Sequence, residues 1–310
     1  MAEILAKQVM ELRKKTGCGM MECKKALVAA EGNFDEAVKV LREKGLSVAA
    51  KKADRIAAEG IVDIIKCDEC GITAMAEVNA ETDFVAKNAA FQDFVKQILK
   101  TIIKNKPENL AALMAETLDG TSCTVEAELK NKIFTIGENM SIRRFAIFEG
   151  ATGFYIHGGG SAGVVTKFET TNDIDKNPLF ADYAKNICMQ IAAMNPTYVC
   201  KCSVPESIIE SEKEILMSQI KNDEKLANKP AAVIEKMVSG RIEKFYDTAC
   251  LNDQQYVREE NMKVSAYTDS VAKELGGEIK IVSFVKYERG EGIEKREDDF
   301  ADEIDKLVKG

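Results

Sequence analysis

The sequence predicts an α+β protein with four parts: a three-helix N-terminal domain (1–50), core subdomains at 56–145 and 146–285, and a C-terminal helical module (286–310). Three observations carry this. Residues 1–50 hold three short apolar runs at helical spacing, and a strand–turn–strand–helix pattern occurs twice, about 90 residues apart. The second occurrence is interrupted at 204–245 by two helical segments with a near-heptad apolar period.

The first run, Ile4, Leu5, Val9 and Leu12, stops at Thr16-Gly17-Cys18-Gly19. Met20, Met21, Cys23, Ala26 and Leu27 resume the period until Glu31-Gly32. Asn33, with Glu36 three residues on, has the spacing of a capping box ahead of Ala37, Val38 and Leu41. Three helices this short make a marginal core, which suits a docking module. Lys51, Lys52 and Arg55 follow in an alanine-rich helical connector.

The repeat is the most informative feature. At an offset of 89, Lys87, Asn88, Phe91, Asp93, Phe94, Lys96 and Ile98 match Lys176, Asn177, Phe180, Asp182, Tyr183, Lys185 and Ile187. Upstream, Glu59-Gly60 answers Glu149-Gly150 at an offset of 90, so the first copy carries one extra residue in between. GIVDII, KCDECG and ITAMAEV lead into the first helix; GFYI, HGGGSAG and VVTKF lead into the second. Between them the corner ETDFVAKN (81–88) has three good capping residues, Thr82, Asp83 and Asn88, with Phe84 beside the cap. The sequence pairs Asp83 with Asp173 and Phe84-Val85 with Ile174-Asp175. The aromatic is therefore expected as an addition to a duplicated corner, held out toward another molecule.

In the inserted segment, Ile208, Ile209, Ile215, Leu216 and Ile220 face Ile234, Met237, Val238, Ile242 and Phe245 across a short connection, predicting an antiparallel hairpin. EIKIVSFVKY (278–287) alternates as a strand, and the mixed-charge tail reads as a terminal helix.

Composition narrows function. With 43 basic and 51 acidic residues the net charge is −8, which argues against a protein that mainly grips nucleic acid. No apolar run has the length of a membrane span, and the N-terminus lacks signal or transit character, so a cytoplasmic protein is expected. The nine cysteines are scattered, and no disulfide framework is expected. Cys67 and Cys70 have metal-ligand spacing, but no second pair follows and the single histidine is His157, so the segment reads as a polar turn and no metal is assigned. GGGSAG at 158–163 fits a dinucleotide-binding pattern in letters alone. A strand follows it where that fold needs a helix, so it reads as a glycine-rich β-turn. No acid–base or nucleophile–base pair stands out, and no catalytic residue or cofactor is assigned. Met20 and Met21 lie about 100° apart on a helix, so one is expected in the core and the other exposed.

ELRKKTGCGMMECKKAL, ETDFVAKN, IGENMSIRR and GEGIEK occur in this order and at these separations. Together they resemble the bacterial elongation factor Ts family, guanine-nucleotide exchange factors of the GTPase elongation factor Tu, over residues 2–308. The resemblance implies an N-terminal domain like a ubiquitin-associated domain, two core subdomains, a helical hairpin and a C-terminal module. It further implies that Thr82, Asp83, Phe84 and Val85 dislodge the partner's Mg²⁺. Arg13, Met20, Met21, Ile136 and Gly137 would touch its GTPase domain, and His157 its third domain. An assembly of two copies with two partners, through the core or the hairpin, is a further possibility that it opens. Two departures stand out: Cys18 replaces a small non-thiol residue, and KCDECG lies outside the family pattern. Two other classes compete. One is an enzyme using the glycine turn or the Cys67/Cys70 pair, the other an adaptor built on residues 1–45.

Overall fold

Local signals set the N-terminal helices in the computed structural model, which describes residues 4–222, 226 and 229–294. Helix α1 (Ala6–Thr16) stops where Gly17 takes φ 69° and donates its N–H to the Arg13 carbonyl. Helix α2 spans Met20–Ala29, and α3 (Phe34–Lys52) opens on Asn33, whose side chain accepts the Asp35 and Glu36 N–H groups. The three bury Val9, Leu12, Cys23, Leu27, Ala37 and Leu41 together. So small a core is closed from outside: Phe134 of a later helix packs onto it, and a Cβ at Gly45 would sit 3.6 Å from the Phe134 Cβ.

Two three-stranded antiparallel sheets form the body. In the first, β1 (Glu59–Cys67), β2 (Ile72–Ala80) and β3 (Met140–Glu149) lie in the order β1-β2-β3. Between β2 and β3 run α4 (Asp83–Ala86), α5 (Ala89–Asn105), α6 (Leu110–Ala115) and α7 (Val125–Ile136). The second sheet joins β4 (Thr152–His157), β5 (Ala162–Thr170) and β6 (Ile279–Glu288) in the same order. Helices α8 (Pro178–Met194), α9 (Glu206–Asn222), α10 (Ala231–Ala249) and α11 (Val264–Leu275) lie between β5 and β6. The duplication extends to detail. A bulge breaks the register at Glu77/Val78 in one sheet and at Lys167/Phe168 in the other, 90 residues apart. Asn88 caps α5 and Asn177 caps α8, and both helices end on a left-handed residue, Lys106 and Asn195. Phe91, Phe94 and Ile98 are buried in one core, Phe180, Tyr183 and Ile187 in the other.

Each copy thus closes with a third strand that periodicity alone did not assign in the first. Strand β3 runs through the expected boundary at 145/146 as far as Glu149, and β6 runs to Glu288, inside the stretch expected to begin the C-terminal module. The rest of that module, 295–310, lies outside the described residues.

The sheets pack face to face through Val62, Ile64, Met75, Phe148 and Val165. The glycine turn has a mechanical role in this contact: it joins β4 to β5, and Gly160 accepts the Val62 N–H at 2.8 Å. A Cβ at Gly160 would meet Ile61 Cβ at 3.0 Å and the Val62 carbonyl at 3.2 Å. Helices α9 and α10 pack through Leu216, Ile220, Val238 and Ile242. At the entry to α9 the cysteine reading needs correcting. Cys200 and Cys202 form a disulfide with a Cα separation of 5.3 Å, and the other seven cysteines are free thiols. The turn of residues 200–203 brings this pair together, a purely local geometry that spacing statistics for long-range frameworks do not address.

Candidate functional site

The corner between β2 and α5 is built from caps. The Thr82 hydroxyl accepts the Val85 N–H, opening the single turn α4, and the Asn88 side chain accepts the Ala90 N–H, opening α5. Val85 and Ala86 are buried beneath the turn. Glu138 clamps it from the far side: its carboxylate accepts the Thr82 N–H at 3.0 Å and the Thr82 hydroxyl at 2.8 Å. Next to it, the Asn139 N–H donates to Glu81, and the Asn139 side chain donates to the carbonyls of Ala53 and Arg55. The Lys87 ammonium, 2.6 Å from Asp83, holds that carboxyl below the usual carboxylate range. Against this frame the Phe84 side chain is 80 % exposed.

The second copy shows why. There the Lys176 N–H donates to Asp173 at 3.1 Å and the Asn177 N–H to Ile174 at 3.0 Å, within a 3₁₀ turn. Here the Lys87 N–H donates to Asp83 at 3.2 Å and the Asn88 N–H to Val85 at 2.9 Å. Both corners also carry the Lys–Asp ion pair. Asp83 therefore corresponds to Asp173, and Val85, not Phe84, corresponds to buried Ile174. This corrects the pairing of Phe84-Val85 with Ile174-Asp175. Phe84 is itself the one extra residue of the first copy.

The other expected contact residues fall into three groups. Ile136 is half-buried against the first core, and Gly137 caps α7 in a left-handed conformation (φ 92°) and receives the Lys52 ammonium on its carbonyl. Both adjoin Glu138, so they and Thr82 share one neighbourhood. Arg13 is exposed on α1. Met20 and Met21 are 47 % and 62 % exposed, which overturns the expectation that one fills the core. Cys18 before them and Cys23 after them are buried in that core, so the chain enters it on both sides and leaves the two methionines on the outer side of the first turn. His157 is exposed at the end of β4, its Nδ1 3.1 Å from the Tyr155 hydroxyl.

Sequence reasoning missed two carboxylates. Glu138 is separated from its partner Thr82 by 56 residues, and no local pattern marks it. Glu77 is fully buried, and accepts from Arg143 Nη1 (3.0 Å), Arg144 Nε (2.6 Å), the Gly290 N–H (2.8 Å) and Asn79 Nδ2 (3.2 Å). Arg144 also reaches the Glu291 carboxylate at 2.8 Å and lies over the Tyr287 ring. Glu77 thus ties β3 to the turn after β6. The only signal was the pair of adjacent arginines in IGENMSIRR.

What fold and site define is a protein that presents side chains on a fixed frame: an added phenylalanine on a clamped corner, and two exposed methionines on a small helical domain. Comparison with known proteins makes this specific. The family model described as elongation factor TS matches residues 81–291. Elongation factor Ts of Syntrophotalea carbinolica is 44% identical over 310 residues, 99% of this chain and 100% of that protein. That of Clostridioides difficile is 45% identical over 311 residues, covering both chains fully. That of Trichlorobacter lovleyi is 42% identical over 306 residues, 97% of each. The chain belongs to the elongation factor Ts family, and its role is that of a translation elongation factor in protein biosynthesis. Among the described residues, no helix is long and apolar enough to cross a membrane.

Proposed function

We propose that this protein binds the GTPase elongation factor Tu and acts as its guanine-nucleotide exchange factor, promoting loss of Mg²⁺ and GDP so that GTP can reload. It works by binding rather than bond-making, without a cofactor, in the cytoplasm. The observation that carries the reading is Phe84: a large apolar side chain, added to a duplicated corner and left 80 % exposed. An exposed phenylalanine whose backbone is capped on both sides enters a partner's pocket with little ordering cost. Thr82 and Asp83 frame it, and Val85 anchors the turn from below. Arg13, Met20, Met21, Ile136 and Gly137 are assigned to the GTPase domain of the partner and His157 to its third domain. Residues 1–50 act as a UBA-like docking domain, with subdomains at 56–145 and 146–285 as the body.

Exchange follows from reciprocity. If nucleotide and exchange factor each weaken the other's hold, they do so by the same factor. Mg²⁺ joins the nucleotide phosphates to protein oxygens, so a contact that displaces it removes much of the nucleotide's anchorage. Burying one phenylalanine is worth roughly 1.5–3 kcal/mol. Realised only in the distorted partner, that shifts the equilibrium by about ten- to a hundred-fold. Strong exchange therefore needs several contacts together, which is what the multi-part layout provides. Stopped-flow release of fluorescent GDP from Tu tests this. Phe84→Ala is expected to fold normally and accelerate release at least tenfold less than the wild type. A variant that keeps the wild-type rate removes Phe84 from the mechanism, and a wild-type chain without effect on release removes the function.

A further inference from the structure

The turn between β1 and β2 is unexplained by exchange, because Cys67 and Cys70 touch neither the corner nor either core. We propose that it is half of a zinc site: Cys67 and Cys70 give two thiolates to one Zn²⁺, and a second copy of this chain gives the other two.

The backbone around the two sulfurs supports this. Cys67 ends β1 opposite Ile72, and the chain reverses through Asp68, Glu69, Cys70 and Gly71, with Gly71 at φ 64°. The Cys70 N–H donates to the Cys67 sulfur at 3.4 Å, and the Cys70 sulfur lies 3.8 Å from the Cys67 carbonyl oxygen. The Cys67 sulfur therefore already has an amide aimed at it, the outer-shell support that a metal-bound thiolate needs, and the turn holds the Cys70 sulfur close by. Two cysteines three apart in sequence are a standard pair of zinc ligands, and soft sulfur donors favour this ion over Mg²⁺ or Ca²⁺. Both thiols are free and Cys70 is exposed, whereas Cys23, Cys188 and Cys250 are buried in cores. The corresponding turn of the second copy, HGGGSAG, has no cysteine, so the pair belongs to the first copy alone.

Structural zinc requires four ligands. Among the described residues no group of three or more His, Cys, Asp or Glu could hold a metal, so at this turn they offer the two thiols alone. A two-fold axis through the ion supplies the missing pair from an identical turn, the simplest closed arrangement for two copies. The tip is open to such an approach, with the Asp68 side chain 86% exposed. Asp68, paired with Lys66 at 3.5 Å, and Glu69 leave a net negative charge at the tip that attracts a dication. In the free protein the Cys70 thiol points at the Cys67 carbonyl. Each Zn²⁺ bound must displace four thiol protons, so affinity rises with pH.

Co²⁺, then Zn²⁺, titrated into the reduced full-length protein carrying Cys200→Ser and Cys202→Ser, so that the thiols of that disulfide cannot bind metal, tests this, with absorbance and sedimentation read in parallel. The expected result is a tetrahedral thiolate–cobalt spectrum that saturates at one metal per two chains, appears together with a dimer, and is bleached by Zn²⁺. Cys67→Ser and Cys70→Ser should each lose spectrum and metal-induced dimer while circular dichroism stays unchanged. Saturation at one metal per monomeric chain, no thiolate spectrum, or uptake that persists with both Cys67 and Cys70 replaced each overturns the proposal.

Discussion

Replacing Glu77 by glutamine removes one buried charge from the junction between β3 and the turn after β6, and its cost follows from the contacts. The carboxylate accepts four donors, two of them guanidinium groups. An amide of the same shape has one acceptor oxygen and turns an NH₂ toward at least one arginine. Removing one partner of a fully buried ion pair costs about 3–5 kcal/mol. The arginines here are 28% and 30% exposed and Arg144 keeps Glu291, so about 2–3 kcal/mol of local destabilisation is the better figure. The Gly290 amide reads it directly, because its N–H is one of the four donors. Hydrogen-exchange protection there should fall about 30- to 140-fold at 1.4 kcal/mol per decade. Acid provides a second readout. Burial alone would raise the Glu77 pKa, but the Gly290 amide, Arg143, Arg144 and Asn79 together outweigh it and hold it below the ordinary value. A carboxyl depressed in the folded state binds more protons when unfolded. Its stabilisation is therefore present above the ordinary pKa of about 4.3 and is lost as pH falls through the depressed value. Wild-type Gly290 protection should show that acid step, and Glu77→Gln should not. Protection within threefold of wild type at neutral pH would refute the network as the element that holds this turn.

Asn88→Ala and Asn177→Ala should each cost about 1 kcal/mol in urea unfolding, and the double variant about their sum, because each cap serves a different core. Gly160→Ala, with a Cβ pressed on Ile61 and the Val62 carbonyl at φ 101°, should cost about 1–3 kcal/mol and expose the Val62 amide to exchange. Deleting Phe84 should leave thermal stability within about 0.5 kcal/mol, since the second copy makes the same corner without that residue; a large loss of stability would show that Phe84 supports the fold.

Elements whose apolar period is uninterrupted were legible: the first three helices, both β-hairpins, α5, α8 and the α9–α10 pair. Strand β3 was not, because Arg143 and Arg144 break its alternation and their neutralising partner, Glu77, lies on another strand. Helix α6 has only six residues, too few to show a period. The corner itself was legible from Thr82, Asp83 and Asn88, because capping is a local rule. Its clamp was not, since nothing near Glu138 points to Thr82. The methionines failed for a related reason: spacing places Met20 on the face of Cys23 and Leu27, but it does not say where the core beneath that face ends.

The two corners show how an aromatic can be added without disturbing a fold. A 3₁₀ turn closes a hydrogen bond over three residues and an α turn over four. Changing one into the other absorbs a single extra residue while both flanks stay in place. At Asp173–Lys176 the shorter turn leaves Ile174 as the buried anchor; at Asp83–Lys87 the longer turn keeps Val85 in that role. The flanking ion pair and the following asparagine cap are preserved in both. With the inward position already taken by valine, the added residue points outward. A side chain at position 84 is therefore exposed, and a phenylalanine leaves there an apolar surface that the described residues do not bury. The corner thus separates support from contact: Glu138, Val85 and Asn88 fix the backbone, and Phe84 can change without disturbing what holds it.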